Sequence, residues 1–198
     1  AETLSRWAWD QPGTRWLVSA PTSGDLKGTC FEGDSGLIKV IPPQLVAKYN
    51  SSLHELHLKN GSFIKGIPAS EPERFRGPQF HGGWLDELAA WEYLQESWDM
   101  IQFGIRLGSR TKLICSTTPK PKETILDLIA REGDDVVITR ASTYSNINNL
   151  APSFKKQILS YEGTNLGRQE IHAEIIDPED SGIVKRDWFK LWPHDKPL

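Results

Sequence analysis

The sequence is short of the features that mark several large classes of protein. Only two cysteines occur in 198 residues, Cys30 and Cys115, far apart and outside any CxxC or Cys/His ligand set. That spacing points away from a disulfide framework or a Cys/His metal site, and it predicts two buried free thiols in a reducing compartment. No apolar run approaches the roughly 18 residues of a membrane span, and no signal peptide opens the chain. A cytoplasmic protein with no membrane partner is the expectation. Charge of one sign is also scarce: the formal net charge is −3. That balance gives no sign of a broad nucleic-acid-binding surface, although a local basic patch would not show in a sum. The chain has no internal repeat and no low-complexity tract.

What is present is ordinary for a globular domain, with 38% hydrophobic and 25% charged residues. Eight tryptophans are many for this length and suggest large aromatic anchors, buried or offered to a partner. "AETLSRWAWD" has Leu4, Trp7 and Ala8 at helical spacing with no N-cap before them, as if a longer helix were entered midway. "RWLVSAP" reads as a compact strand. "LHELHLKNGSFIKGIP" places two alternating runs around Asn60-Gly61, a strong hairpin signal. "EPERFRGP" reads as one helical turn bracketed by prolines, "GGWLDE" as a short strand, and Tyr93–Leu107 as a long helix. Further on come a buried strand "TKLICSTTP", a helix "PKETILDLIARE", a strand "DDVVITRAST" and two helices, "LAPSFKKQILSYEG" and "TNLGRQEIHAEI". Strands alternating with helices predict an α/β fold with a mostly parallel sheet flanked by helices. The hairpin would sit on it as an edge or an insertion.

In open parallel sheets the ligand crevice lies beyond the carboxyl ends of the strands. Two strands end there in polar clusters, "GGWL" in Asp86-Glu87 and "KLIC" in Ser116-Thr117-Thr118. A phosphate-loop ATPase needs one carboxylate to hold Mg²⁺ through its water shell and a second group to orient and deprotonate the attacking water. Adjacent residues leaving a strand can divide those tasks. The competing reading of the pair is a helix cap, because helix-like "ELAAW" follows directly.

Taken together, "ERFRGPQFHGGWLDELAAW", "DMIQFGIRLG", "STTPKPK" and "YEGTNLGRQE" closely resemble the ATPase domain of the large terminase subunit of tailed bacteriophages and gene-transfer agents. That subunit is the motor that drives DNA into the procapsid, and the resemblance runs from Ala1 to about residue 180. It implies a RecA-like phosphate-loop ATPase core of the additional-strand type with a β-hairpin insertion over 1–176. Residues 177–198 would be a linker or arm toward a nuclease domain. It further implies Asp86 as the Walker B aspartate and Mg²⁺ ligand, and Glu87 as the catalytic glutamate. Ser116, Thr117 and Thr118 would form the coupling motif that senses the γ-phosphate of ATP. Arg76, with Arg74 as second choice, stands where the family carries an arginine that reaches into a neighbouring subunit's site. The partners implied are other large subunits in a ring, double-stranded DNA, the portal protein and the small terminase subunit, in the cytoplasm of a bacterial host.

One departure stands out. The family's Gly-rich loop ending in Lys-Ser/Thr is absent, and "GDSGLIKV" is no substitute. "AETL" would fall in the helix just after that loop, so the expectation is an incomplete motor domain, a fragment or a shortened reading frame. A non-enzymatic remnant is therefore one rival reading. A metal-dependent nuclease is another, weakened because the other acidic clusters, Glu132–Asp135 and Asp177–Asp180, lie in breaks between elements. The remaining residues carry bland alternatives. Arg76 can be a surface ion-pair partner of Glu73. Ser116, Thr117 and Thr118 can simply satisfy backbone groups before Pro119. His54 and His57 are expected on one hairpin face without a third metal ligand, Lys120 and Lys122 in a solvated loop, and "NLGRQE" in a packing role.

Overall fold

Leu4 and Ala8 stand one helical turn apart and are both wholly buried, so Glu2–Asp10 winds into α1 with its apolar stripe turned inward. The side-chain amide of Asn60 donates to carbonyls at the end of this helix, Ala8 O at 2.8 Å and Trp9 O at 2.9 Å. The structure, a computed structural model, describes residues 1–176; the expected linker over 177–198 lies outside them. The chain divides into two units, Ala1–Thr117 and the residues from Thr118 onward.

In the first unit, strands β1 (Arg15–Ser19), β2 (Val46–Asn50), β3 (Glu55–Leu58), β4 (Phe63–Gly66), β5 (Gly82–Leu85) and β6 (Lys112–Cys115) form one sheet. Their spatial order is β2-β3-β4-β1-β5-β6. β1 pairs in parallel with both β4 and β5, and β5 with β6, while β2-β3 and β3-β4 are antiparallel. The mostly parallel α/β architecture is thus present, with two differences. The predicted hairpin is β3-β4, but β4 is an interior strand whose far edge pairs with β1, and an unforeseen β2 forms the edge beyond it. β6, expected to be buried, is the last strand in the order; its residues are half-buried and Cys115 is exposed, so only Cys30 is a buried thiol.

One sheet face is covered by α1, by a turn α2 (Ser23–Asp25) running on as a π-helical stretch Leu26–Phe31, and by α3 (Leu37–Val40). Leu4, Ala8, Leu26, Phe31 and Leu37 pack there on Trp16, Val18, Leu56 and Ile64. Helix α4 (Leu94–Gly104) packs against a 3-10 turn, Pro72–Phe75. It is shorter than expected because the Gly104 carbonyl turns away to accept from Phe80 N at 2.9 Å. The two glycines that open β5 are required by close packing. A Cβ at Gly82 would lie 2.1 Å from the Lys112 carbonyl oxygen, and one at Gly83 would lie 2.8 Å from that of Leu17.

The described part of the second unit contains α5 (Glu123–Ala130), α6 (Pro152–Leu159) and α7 (Asn165–Glu170). The strand expected in "DDVVITRAST" does not form. A strand needs a neighbour's ladder, and among the described residues the only β-pairing here is a single bridge, Glu132 with Val136. Arg131 binds Asp135 and Arg140 binds Glu132, folding the segment back on itself and leaving Val137 exposed. "NLGRQE" is α7, capped by Thr164 Oγ1; Leu166 is exposed, and the close approach is at Gly167, where a Cβ would lie 2.1 Å from the Tyr161 carbonyl oxygen.

Candidate active site

The parallel ladder carries three chain ends to one edge of the sheet. Asp86 N donates to Ser19 O at 2.8 Å, and Ser116 N donates to Leu85 O at 3.0 Å, so Asp86 and Ser116 continue β5 and β6 side by side. Their side chains meet there. Ser116 Oγ donates to Asp86 Oδ1 at 2.6 Å and accepts from Trp84 Nε1 at 3.2 Å. This forms a relay from the indole through the hydroxyl to the carboxylate, with charge-assisted strength in its last link. Trp91 Nε1 donates to the Asp86 carbonyl at 2.9 Å, fixing the backbone from the other side. Thr117 Oγ1 accepts from Ala89 N at 2.9 Å, and Leu88 N donates to Ser116 O at 3.0 Å, so the two strand exits are laced together.

Glu87 behaves differently from a cap. It occupies the N-cap position of the 3-10 turn Leu88–Ala90, yet its side chain makes no capping hydrogen bond. Its backbone is left-handed, φ 50° and ψ 47°, a conformation that costs a non-glycine residue of order 1 kcal/mol or more. Strain of this kind is retained where it aims a side chain, and Glu87 is exposed beside half-buried Asp86. Asp86 with the Ser116 hydroxyl offers a cluster of hard oxygen donors, the chemistry that suits Mg²⁺.

The Cys30 thiol also lies 3.9 Å from Asp86 Oδ2. Burial first, and then the Asp86 charge, push it up to about 12, so it stays a protonated thiol and faces the carboxylate as a weak donor. Burial lowers the pKa of the Ala1 amino group just ahead of α1, and the Asp86 carboxylate offsets part of that. No sequence signal marks Cys30, because the approach is set by the π-helical stretch packing on the sheet.

The expected arginines pair within their own turn. Arg76 ends the 3-10 turn and pairs with Glu73 at 2.7 Å, with side chains 63% and 68% exposed. Arg74 pairs with Glu71 at 3.3 Å. Thr118 begins the second unit. His54 does not share a face with His57; it is buried in the turn before β3 with φ 51°. Its Nε2 lies 3.0 Å from Ser23 Oγ, and its Nδ1 is buried without a partner. Among the described residues no cluster of three or more His, Cys, Asp or Glu is disposed to hold a metal ion, which removes the multi-carboxylate nuclease geometry from them. No described helix is long and apolar enough to cross a membrane.

Solved structures share this architecture. The large terminase of a thermophilic bacteriophage superposes with a TM-score of 0.67 at 13% identity, covering 87% of this chain and 43% of that one. The same phage protein in complex with ATP-γ-S gives 0.63 at 12% identity, over 85% of this chain and 42% of that one. The ATPase domain of the Thermus phage P74-26 large terminase gives 0.53 at 18% identity, covering 87% and 81%. At such identities the likeness establishes a RecA-like fold, and this chain spans under half the length of the full terminase it matches. The family described as terminase large subunit, T4-like-virus type, N-terminal, matches residues 1–191. The chain therefore belongs to the large terminase subunit family, in its N-terminal ATPase-domain region.

Proposed function

We propose that the chain is part of an ATP-hydrolysing motor that drives double-stranded DNA into a procapsid. The observation that carries this reading is the Asp86–Ser116 contact at 2.6 Å, which ties a strand-end carboxylate to the hydroxyl of the neighbouring strand end. In this reading Asp86, with the Ser116 hydroxyl beside it, would hold Mg²⁺, which would supply counter-charge to the phosphates. Glu87 takes a proton from water as its oxygen attacks the γ-phosphorus and the bond to ADP breaks. Ser116 joins the metal-side carboxylate to β6, so a change at the γ-phosphate is felt by Thr117, Thr118 and the chain beyond them. The strained Glu87 backbone supports a base that must be aimed, and its lack of a capping bond weakens the helix-cap alternative.

No Gly-Lys-Ser/Thr loop occurs in the 198 residues, so most phosphate contacts must come from elsewhere in the working protein. Arg76 acts in trans on a neighbouring subunit in this proposal, and other large subunits, the portal protein and the small subunit complete the machine in the host cytoplasm. The test is Glu87→Gln in a protein that carries the phosphate loop. Hydrolysis should fall by about 10²–10⁴-fold while ATP binding is kept. Turnover within a factor of about two of the parent would return the acidic pair to a structural role.

A further inference from the structure

Strands β3 and β4 alternate strictly. Leu56, Leu58, Ile64 and Gly66 are buried on the α1 side, while Glu55, His57, Phe63 and Lys65 are half-exposed on the other. Register extends that open face sideways. Lys48 on β2 lies opposite His57, and Arg15 on β1 lies beside Phe63. His57 and Phe63 rest ring on ring with centroids 4.7 Å apart, and Lys65 Nζ meets Glu55 Oε1 at 3.0 Å, confirming that these side chains share the face. Toward the middle of the sheet the same face closes, with Leu17, Ser19 and Leu85 wholly buried. What is left is an open platform three strand steps wide, about 14 Å.

Its charge runs against that of the molecule. Arg15, Lys48 and Lys65 oppose one carboxylate, Glu55, in a chain whose formal net charge is −3. Arg15 and Lys48 are exposed and make no ion pair among the described residues. Unpaired cations held on a rigid sheet, next to an imidazole, complement a regular array of phosphates. Duplex DNA presents one negative charge per about 1.7 Å of its axis, so the platform spans several. We infer that this face, built from Arg15, Lys48, His57, Phe63 and Lys65, is the surface on which the subunit grips the phosphate backbone of double-stranded DNA. The inference rests on the motor reading for its choice of polyanion, and it assigns sequence-independent contacts, as a translocating machine requires.

Binding of the 198-residue chain to a fluorescein-labelled random-sequence duplex, without nucleotide, tests it. Anisotropy titrations between about 50 and 200 mM salt give the affinity and its salt slope. Arg15→Gln with Lys48→Gln should weaken binding by about threefold to tenfold and lower the slope by about two, one per lost phosphate contact. Glu55→Gln should tighten binding, since it removes the only carboxylate of the platform. Arg6→Gln, on α1 against the opposite sheet face, should change neither quantity. No duplex binding at the lowest salt, an unchanged slope in the double variant, or weaker binding by Glu55→Gln overturns the assignment and leaves the face to a protein partner. Failure of the motor reading is seen separately, in hydrolysis by Glu87→Gln protein, which these titrations do not measure.

Discussion

Ser116→Ala removes the hydroxyl at the centre of the site while leaving the fold of β6 untouched, and its cost can be worked from the geometry. Two hydrogen bonds disappear, the 2.6 Å donation to Asp86 Oδ1 and the 3.2 Å acceptance from Trp84 Nε1. A hydrogen bond to an ionised group contributes about 1.5–3 kcal/mol, and an orphaned buried donor costs about 1–3 kcal/mol. Both residues are only half-buried, so water replaces part of each loss. The expected net destabilisation is about 1–2 kcal/mol, a fall in Tm of about 2–8 °C for a chain of this size. Urea unfolding followed by tryptophan fluorescence measures it as a drop in midpoint at constant slope. A double-mutant cycle with Asp86→Asn should show a coupling of about 1 kcal/mol. A loss below about 0.5 kcal/mol, or strict additivity in the cycle, would refute the claim that the hydroxyl and the carboxylate act as one unit.

Glu87→Gly relieves the left-handed backbone and should stabilise the protein by about 0.5–1 kcal/mol in the same urea assay, while abolishing hydrolysis in a protein with its phosphate loop. Arg76→Ala removes only an exposed pair with Glu73, so its midpoint should move by less than about 0.5 kcal/mol. In the assembled motor the same change should lose hydrolysis, with partial recovery on mixing with Glu87→Gln protein; no recovery at any ratio would assign Arg76 a structural role. His54 has its pKa lowered by burial first and then by Arg74 and Lys27, so the folded state binds its proton less readily than the unfolded one. Stability from this group is present above the unfolded value of 6.5 and is lost as pH falls below it. His54→Asn, which tolerates the left-handed turn, should flatten that acid limb. Calorimetry on the chain with ATP and Mg²⁺ should show weak binding and negligible phosphate release, and micromolar binding with turnover would overturn the proposed dependence on an external phosphate loop.

The parts of the molecule that were legible in the sequence are those where local chemistry and tertiary packing agree. Asn60-Gly61 marked a hairpin because its flanking runs alternate, and that alternation is the burial pattern of β3 and β4. "GGWLDE" marked a strand with carboxylates at its exit because an apolar run stopped abruptly at charge. β2 escaped notice because its alternation is shallow: Val46 and Tyr49 are only half-buried in an edge strand. "DDVVITRAST" misled in the opposite direction, since a β-branched run forms a strand only when a neighbour supplies the ladder. The Cys30–Asp86 approach and the buried turn at His54 depend on residues 56 and 31 positions away, respectively. No local pattern encodes such distances.

The placement of β1 in the sheet bears on how the chain acquires its structure. β1 leaves a ribosome well before its hydrogen-bonding neighbours, which follow about 48 and 66 positions later. A strand with two apolar faces, Trp16 and Val18 on one and Leu17 on the other, must stay unpaired through that interval. Non-local parallel pairing of this kind is slow to nucleate and exposes the strand to off-pathway association. Elongation at about 5–20 residues per second makes the wait several seconds. The yield of native protein should then depend on translation speed and on holding chaperones more strongly than on the final stability, and a slow-codon stretch placed soon after Leu85 should raise it.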